Sequence, residues 1–67
     1  MARVDGQTVQ IGDWVCFKSD YEQSGEVIKI SGDRLTLRAS GPEGFGGGYI
    51  GGQEITHQMA RDCWIEG

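Results

Sequence analysis

Apolar and polar residues alternate most clearly in the centre of the chain. Arg34–Arg38 alternates strictly, which predicts a strand with its two leucines facing the core. The preceding run Glu26–Ser31 is rich in β-branched residues, and Gly25 and Gly32 bound it too closely for a helix. We predict that the two strands form a hairpin around Gly32-Asp33 and that part of the core comes from Val27, Ile30, Leu35 and Leu37.

Two further elements are predicted on the N-terminal side. Trp14–Phe17 combines aromatic and β-branched residues after a Gly-Asp break, which favours a strand. Alternation puts Val15 and Phe17 on one face of this strand and the other two residues on the opposite face, without indicating which face is buried. The Asp5-Gly6 pair predicts a tight turn, so residues 1–10 are expected to form a short hairpin or an ordered arm.

Polar residues and glycine dominate the connecting segments. Lys18–Gly25 has no apolar period and is predicted to be a long loop. Residues 39–48, ASGPEGFGGG, contain the single proline and are predicted to be a second loop. A fourth strand is expected over Tyr49–Ile55, interrupted at its two central glycines. Thr56–Asp62 has the residue types of one helical turn, with Thr56 as its N-cap, and Cys63–Ile65 is expected to form the last strand.

The length and the glycine content narrow the fold class. A chain of 67 residues is large enough for one domain, which we place over residues 1–67. Twelve of these residues are glycine, well above average usage, as is typical of a small domain with many turns. The predicted order of elements is that of an all-β, five-stranded antiparallel SH3-like barrel with one short helical turn before the last strand.

Two resemblances accompany this prediction. The segments GDWV and SGEVIKI resemble the signature of KOW-type domains, in which a Gly-Asp pair starts the first strand and a later glycine precedes an apolar second strand. This resemblance implies an SH3-like barrel of the KOW/Tudor sort, whose first long connection often carries binding residues. The acidic chain, led by Gly-Asp and ending near DCW, also resembles small phage and prophage proteins, which implies a mobile-element origin without an activity.

The charge of the chain bears on its partners. The net charge is −4 and the isoelectric point is about 4.6, so the molecule as a whole repels a phosphate backbone. A protein partner is therefore favoured, and a sharper hypothesis is an acidic inhibitor of a nucleic-acid-handling host protein. A KOW-type nucleic-acid-binding domain stays as an alternative, using a local basic strip of Lys18, Lys29, Arg34 and Arg38.

No membrane or secretion signal is found in the sequence. No apolar run approaches the ~20 residues of a membrane span, and the N-terminal segment lacks the pattern of a signal peptide. We therefore expect a cytoplasmic protein, in the host cell if it is phage-encoded, with no membrane contact. Because so small a domain gains core by pairing, a homo-oligomer is also kept as an alternative.

Candidate catalytic and metal-binding residues are few. Cys16, His57, Asp62 and Cys63 lack the spacing of a zinc site, and the two cysteines are expected to be reduced thiols in or near the core. The opening GDWVCFKS is similar to that of a plasmid-borne, trimethoprim-insensitive dihydrofolate reductase. However, Phe17, Glu54 and Thr56 stand where that family has its active-site lysine, glutamine and tyrosine. We predict that the protein is not an enzyme and uses no cofactor or metal.

Exposed aromatic side chains are the best candidates for a binding surface. We expect Tyr21 and Tyr49 at the surface because polar residues and glycines flank them, whereas Trp64 and one of Trp14 or Phe17 are expected in the core. Phe45 has two interpretations, an exposed anchor for a partner or a ring that folds back to close one end of the barrel. The predicted contact surface lies on the two long loops and comprises Lys18, Asp20, Tyr21, Gln23, Phe45 and Tyr49.

Overall fold

The computed structural model describes residues 3–65, and its regular elements are almost all strands. The strands pair antiparallel in two sheets, a hairpin of β1 and β2 and a four-stranded sheet with the order β3-β4-β5-β6. This confirms the all-β class. The strand bounds are Arg3–Val4 (β1), Gln7–Thr8 (β2), Trp14–Ser19 (β3), Tyr21–Ser31 (β4), Arg34–Arg38 (β5) and Ile55–Met59 (β6), followed by a 3-10 turn at Ala60–Asp62. Within this described range, no helix has both the length and the apolar character needed to cross a membrane.

The N-terminal hairpin turns at the predicted dipeptide. Asp5 and Gly6 both have positive φ angles, 53° and 78°, as the tight two-residue turn of a β-hairpin requires. The hairpin is packed onto the rest of the domain, since Val4 is fully buried and the Asp5 carboxylate accepts a hydrogen bond from the Ile65 amide at 2.8 Å. Of the two predicted forms for this segment, the short hairpin is the one observed over residues 3–8; residues 1 and 2 lie outside the described range.

The predicted loop over Lys18–Gly25 is wrong, because these residues continue the β3–β4 hairpin. Asp20 alone connects the strands, with a φ of 70°, and Ser19 pairs directly with Tyr21. The segment lacks an apolar period because this end of the hairpin extends past the core, so antiparallel backbone pairing forms it without buried side chains. Polar composition therefore concealed a regular strand pair.

Strand β4 joins the two halves of the main sheet. Its first half pairs with β3, its second half pairs with β5, and a register shift lies between Val27 and Lys29. Gly25 stands at the changeover, where an added Cβ would lie 3.0 Å from the Arg38 carbonyl oxygen and 3.1 Å from Leu37 Cβ. The absence of a side chain here lets β4 pass close to β5.

The core lies on one face of the main sheet, and its centre is as predicted. Leu35, Leu37 and Val27 are fully buried, and Ile30 is partly buried against them. On β3, Val15 and Phe17 belong to the core, whereas Cys16 is buried and Trp14 is half exposed on the opposite face. The other members of the core cluster are Val4, Val9, Phe45, Ala60 and Cys63.

The C-terminal third departs from the predicted elements. The strand lies at Ile55–Met59 rather than over Tyr49–Ile55, and the helical turn is shorter and later than predicted. Thr56 is not a cap: it is buried and pairs with Leu37 of β5. The strand was missed because the core-facing positions of β6, Thr56 and Gln58, are polar, so its alternation is weak.

A closed five-stranded barrel is also a wrong prediction. The described residues contain six strands, and the last segment joins β3 through a single bridge instead of a fifth barrel strand. In that bridge Cys16 and Trp64 exchange two backbone hydrogen bonds, of 2.7 and 2.9 Å. Residues 63–65 thus return to the first strand of the sheet, β3. Within the described residues they do not pair with β6, so the sheet is not closed into a barrel.

Replacing Gly25 tests the close passage of β4 over β5. Gly25→Ala should lower the free energy of unfolding by about 1–3 kcal/mol, because the new methyl group would lie only 3.0 Å from the Arg38 carbonyl oxygen and 3.1 Å from Leu37 Cβ, closer than side chains ordinarily pack. Gly41→Ala is the matched control, since a Cβ there meets no atom within 4 Å. Denaturant unfolding compares the two variants, and an equal effect of both would contradict the packing described.

Candidate functional site

The structure brings most of the predicted contact residues together at one end of the molecule. Lys18, Asp20, Tyr21 and Gln23 lie at the closed end of the β3–β4 hairpin. The long connection between β5 and β6, residues 39–54 (the Gly-rich loop), folds against this end and carries Phe45 and Tyr49. Side-chain hydrogen bonds from the hairpin to the backbone of the loop join the two segments.

Gln23 holds the middle of the Gly-rich loop. Its side-chain Nε2 donates to the carbonyl oxygens of Ser19 and Gly46, each at 3.0 Å. Its Oε1 accepts from the Gly46 amide at 2.8 Å, so the side chain satisfies both backbone groups of one loop residue. The Gln23 amide pairs with both backbone groups of Gly46, as a neighbouring strand would. It thereby holds the loop at a fixed distance from the hairpin.

Asp20 and Tyr21 add two further contacts to the loop. The Asp20 carboxylate accepts a hydrogen bond of 2.6 Å from the Gly48 amide. The Tyr21 hydroxyl lies against Gly46 so closely that a Cβ on that residue would overlap it. A side chain at position 46 would therefore displace the half-exposed Tyr21 ring from the loop.

Phe45 attaches the Gly-rich loop to the hydrophobic core. Its side chain is only 5% exposed and packs edge to face against Phe17, with the ring centres 5.4 Å apart. Its backbone also exchanges hydrogen bonds within the loop, donating to Gln53 at 2.8 Å and accepting from Gly52 at 2.9 Å. Phe45 is thus not an exposed anchor: its ring folds back, as in the second interpretation, and lies in the core cluster instead of closing the end of a barrel.

The remaining exposed residues define the tip surface, which comprises Lys18, Asp20, Tyr21 and Tyr49. The side chain of Tyr49 is 82% exposed and that of Tyr21 is 54% exposed, so the expectation that both lie at the surface is confirmed. Gln23 is half-buried and engaged with the loop backbone, which makes it a positioning residue for this surface. The tip surface thus combines two exposed aromatic rings with a backbone held by several hydrogen bonds.

A groove next to the tip was missed by sequence reasoning. It has a volume of about 300 Å³ and is lined by Cys16, Glu22, Gln23, Ser24 and Trp64. The groove follows from the register of β3 and β4, which places Cys16 opposite Ser24. The polar sequence of this segment predicts a loop, which has no strand register, and only a register places its side chains on a common face.

The predicted basic residues do not form one continuous strip. Arg38 is ion-paired with Glu26 at 2.8 Å, so part of its charge is neutralised. Lys29 and Arg34 are exposed farther along β4 and β5, whereas Lys18 lies at the opposite end of the main sheet. Two carboxylates of β4 and its preceding turn also have separate partners, because Asp20 accepts from the loop backbone and Glu26 pairs with Arg38.

The two cysteines are buried thiols, as expected, and lie on opposite sides of the sheet. Cys16 faces the side of Trp14 and the groove, whereas Cys63 belongs to the core cluster. This placement does not favour a disulfide between them. Burial, with smaller contributions from the nearby Asp62 and Cys16, raises the pKa of Cys63 from its ordinary 9.0 to about 11. Its thiol is therefore protonated at neutral pH and donates to the Met59 carbonyl at 3.4 Å.

Fold and site together define a small all-β domain with a preorganised surface at one end. His57 is exposed on β6, and no group of three metal-ligating side chains forms within residues 3–65. Comparison with protein-family models, with curated proteins and with solved structures finds no match to this chain. The function must accordingly be argued from the surface itself.

Burial of Cys63 gives stability a pH dependence that can be measured. The thiol ionises near pH 9.0 in the unfolded chain and near pH 11 in the folded one. Below about pH 9, the neutral Cys63 thiol makes its full contribution to the free energy of unfolding. This contribution is lost as the pH rises toward 11. Chemical denaturation across this range should show a steeper decline for the parent protein than for Cys63→Ala, whose side chain does not titrate. Parallel declines would contradict the buried position of the thiol.

Proposed function

We propose that this protein is a non-catalytic binding module that contacts a protein partner through its tip surface. The observation that carries this proposal is the exposure of Tyr21 and Tyr49 on a backbone held by Gln23 and Asp20. Tyrosine is suited to such contacts because it offers a large, rigid area that is apolar on its faces and polar at its end.

Preorganisation supports this function energetically. Immobilising one flexible side chain in an interface costs about 0.5–1.5 kcal/mol, and ordering a loop adds to that cost. Here the Gly-rich loop is already positioned by Phe45 in the core and by hydrogen bonds to its backbone. A partner would therefore meet a formed surface, and less of its interaction energy would go into ordering the loop.

The acidity of the chain favours a partner with a basic contact surface. Ten acidic residues stand against six basic ones, and at the tip surface and beside it Asp20 and Glu22 are exposed. Nucleic-acid-handling proteins present basic surfaces, so an inhibitor of such a host protein, encoded by a phage or other mobile element, is the sharper form of this proposal.

The order of the elements supports an SH3-like architecture that is incompletely closed. The sheet runs β3-β4-β5-β6, a single 3-10 turn follows, and Trp64 returns to the edge of β3. Direct binding of nucleic acid is the weaker alternative, because Arg38 is ion-paired and Lys18 lies apart from Lys29 and Arg34.

Site-specific crosslinking tests the proposed surface. A photoreactive amino acid in place of Tyr49 should form a covalent adduct with a protein in lysate of the producing cells. The same residue in place of Ile11 should not, although Ile11 is 61% exposed, because it lies at the other end of β3. Adducts of equal yield from both positions, or none from position 49, would contradict the proposal.

With the captured protein purified, Tyr49→Ala and Tyr21→Ala should each weaken binding by about tenfold or more, as expected for aromatic anchors. Ile11→Ala is the matched control and should bind as the parent protein does. Titration calorimetry gives the affinities, and full affinity in both tyrosine variants would reject the tip surface as the contact.

A further inference from the structure

The groove beside the tip has a floor of small side chains between larger walls. Cys16 lies opposite Ser24 on the neighbouring strand β4 and opposite Trp64 across the terminal bridge. These three residues therefore share one face of the sheet, opposite the core. Glu22 lies on the same face two residue pairs farther toward the tip, directly opposite Lys18, and it lines the same space of about 300 Å³ as Trp64.

The polar groups of this groove are predominantly acceptors. Glu22 is exposed and makes no ion pair with any residue in the described range, where the one salt bridge joins Arg38 to Glu26. The Gln23 side chain points to the opposite, core-facing side of β4, where it binds the Gly46 backbone, so it adds no acceptor to the groove. The Ser24 hydroxyl is a further acceptor. A ligand for this groove must bring donors and positive charge.

Shape and size narrow the ligand further. A volume of about 300 Å³ is at the lower limit of small-molecule pockets, and it suits a single side chain better than a nucleotide. A planar guanidinium group can stack on an indole face while its edge donates to a carboxylate and to nearby amide or hydroxyl oxygens. A lysine ammonium offers fewer donors and no flat face for stacking.

We propose that this groove binds an arginine side chain of the protein partner, stacked on Trp64 and paired with Glu22. This inference rests on the proposed function, since it takes the partner to be a protein. It extends the contact area beyond the tip surface, because Gln23 lines the groove and also holds the loop that carries Tyr49. The excess of acidic residues on this chain agrees with a cationic group on the partner.

A peptide titration tests the proposal without knowledge of the partner. The probe is acetyl-Gly-Arg-Gly-amide, with the lysine peptide of the same length for comparison. The chain has two tryptophans, so Trp14→Phe leaves Trp64 as the sole indole reporter for fluorescence and NMR. Trp14 is half exposed, and this change should leave the fold intact. We expect a saturable shift of the Trp64 signals with the arginine peptide and at least several-fold weaker binding of the lysine peptide.

A pair of charge variants locates the interaction. Glu22→Gln keeps the size of the side chain but removes its charge, and it should weaken arginine-peptide binding by about tenfold, as for loss of a charge-assisted hydrogen bond. Asp33→Asn removes an equal charge from the exposed β4–β5 turn and should leave the affinity unchanged. The proposal is overturned if Trp64 does not respond, if both variants weaken binding equally, or if the lysine peptide binds as well.

The outcomes also separate this inference from the proposed function. If the captured partner loses affinity with Tyr49→Ala but not with Glu22→Gln, the tip surface stands and the arginine groove is rejected. If Glu22→Gln weakens the partner whereas both tyrosine variants bind fully, the groove stands and the tip surface is rejected.

Discussion

The contact between the Gln23 side chain and the backbone of Gly46 is the interaction on which the order of the tip surface depends. A loop rich in glycine has few side chains to bury, so hydrophobic burial alone cannot hold it in place. Gln23 satisfies the amide and the carbonyl of Gly46 together, and Asp20 satisfies the amide of Gly48. Each such bond contributes only about 0.5–1.5 kcal/mol, but together they order a segment that would otherwise sample many conformations.

The same loop connects the core with the exposed tip surface. Phe45 supplies a large ring to a small core, where it meets Phe17 edge to face. Tyr49 follows Gly46 by three residues in the chain, and its side chain is almost fully exposed. The buried ring and the hydrogen-bonded glycines thus fix the base from which the tyrosine projects. A domain of 67 residues has a small hydrophobic core. The burial of the Phe45 ring in that core offsets the entropic cost of ordering the Gly-rich loop.

The sequence predicted those parts of the fold in which side-chain chemistry and backbone geometry agree. Leu35 and Leu37 alternate with polar residues, and Asp5-Gly6 has the residue types of its turn, so both hairpins were placed correctly. The closed end of the β3–β4 hairpin was missed because its strands project past the core and carry polar side chains on both faces. Strand β6 was missed for a related reason, since Thr56 occupies a buried position that usually holds an apolar residue.

The candidate site was predictable in its residues but not in their roles. Tyr21 and Tyr49 were expected at the surface from their polar and glycine neighbours, and both are exposed. Gln23 was expected to touch a partner, yet its amide is directed to Gly46, twenty-three positions away in the chain. Periodicity and composition carry no information about a contact at that separation. The groove also required the register of two strands, which follows only from the three-dimensional pairing.

Amide hydrogen exchange of the Gly-rich loop tests the central claim most directly. The amides of Gly46, Gly48 and Gly52, which donate to Gln23, Asp20 and Phe45, should exchange far more slowly than that of Gly41, which donates to none of the described residues. Gln23→Ala should abolish the protection of Gly46, whereas Gln53→Ala, which changes an exposed side chain, should preserve it. Exchange of all four amides at the rate of an unstructured chain in the parent protein would contradict the account.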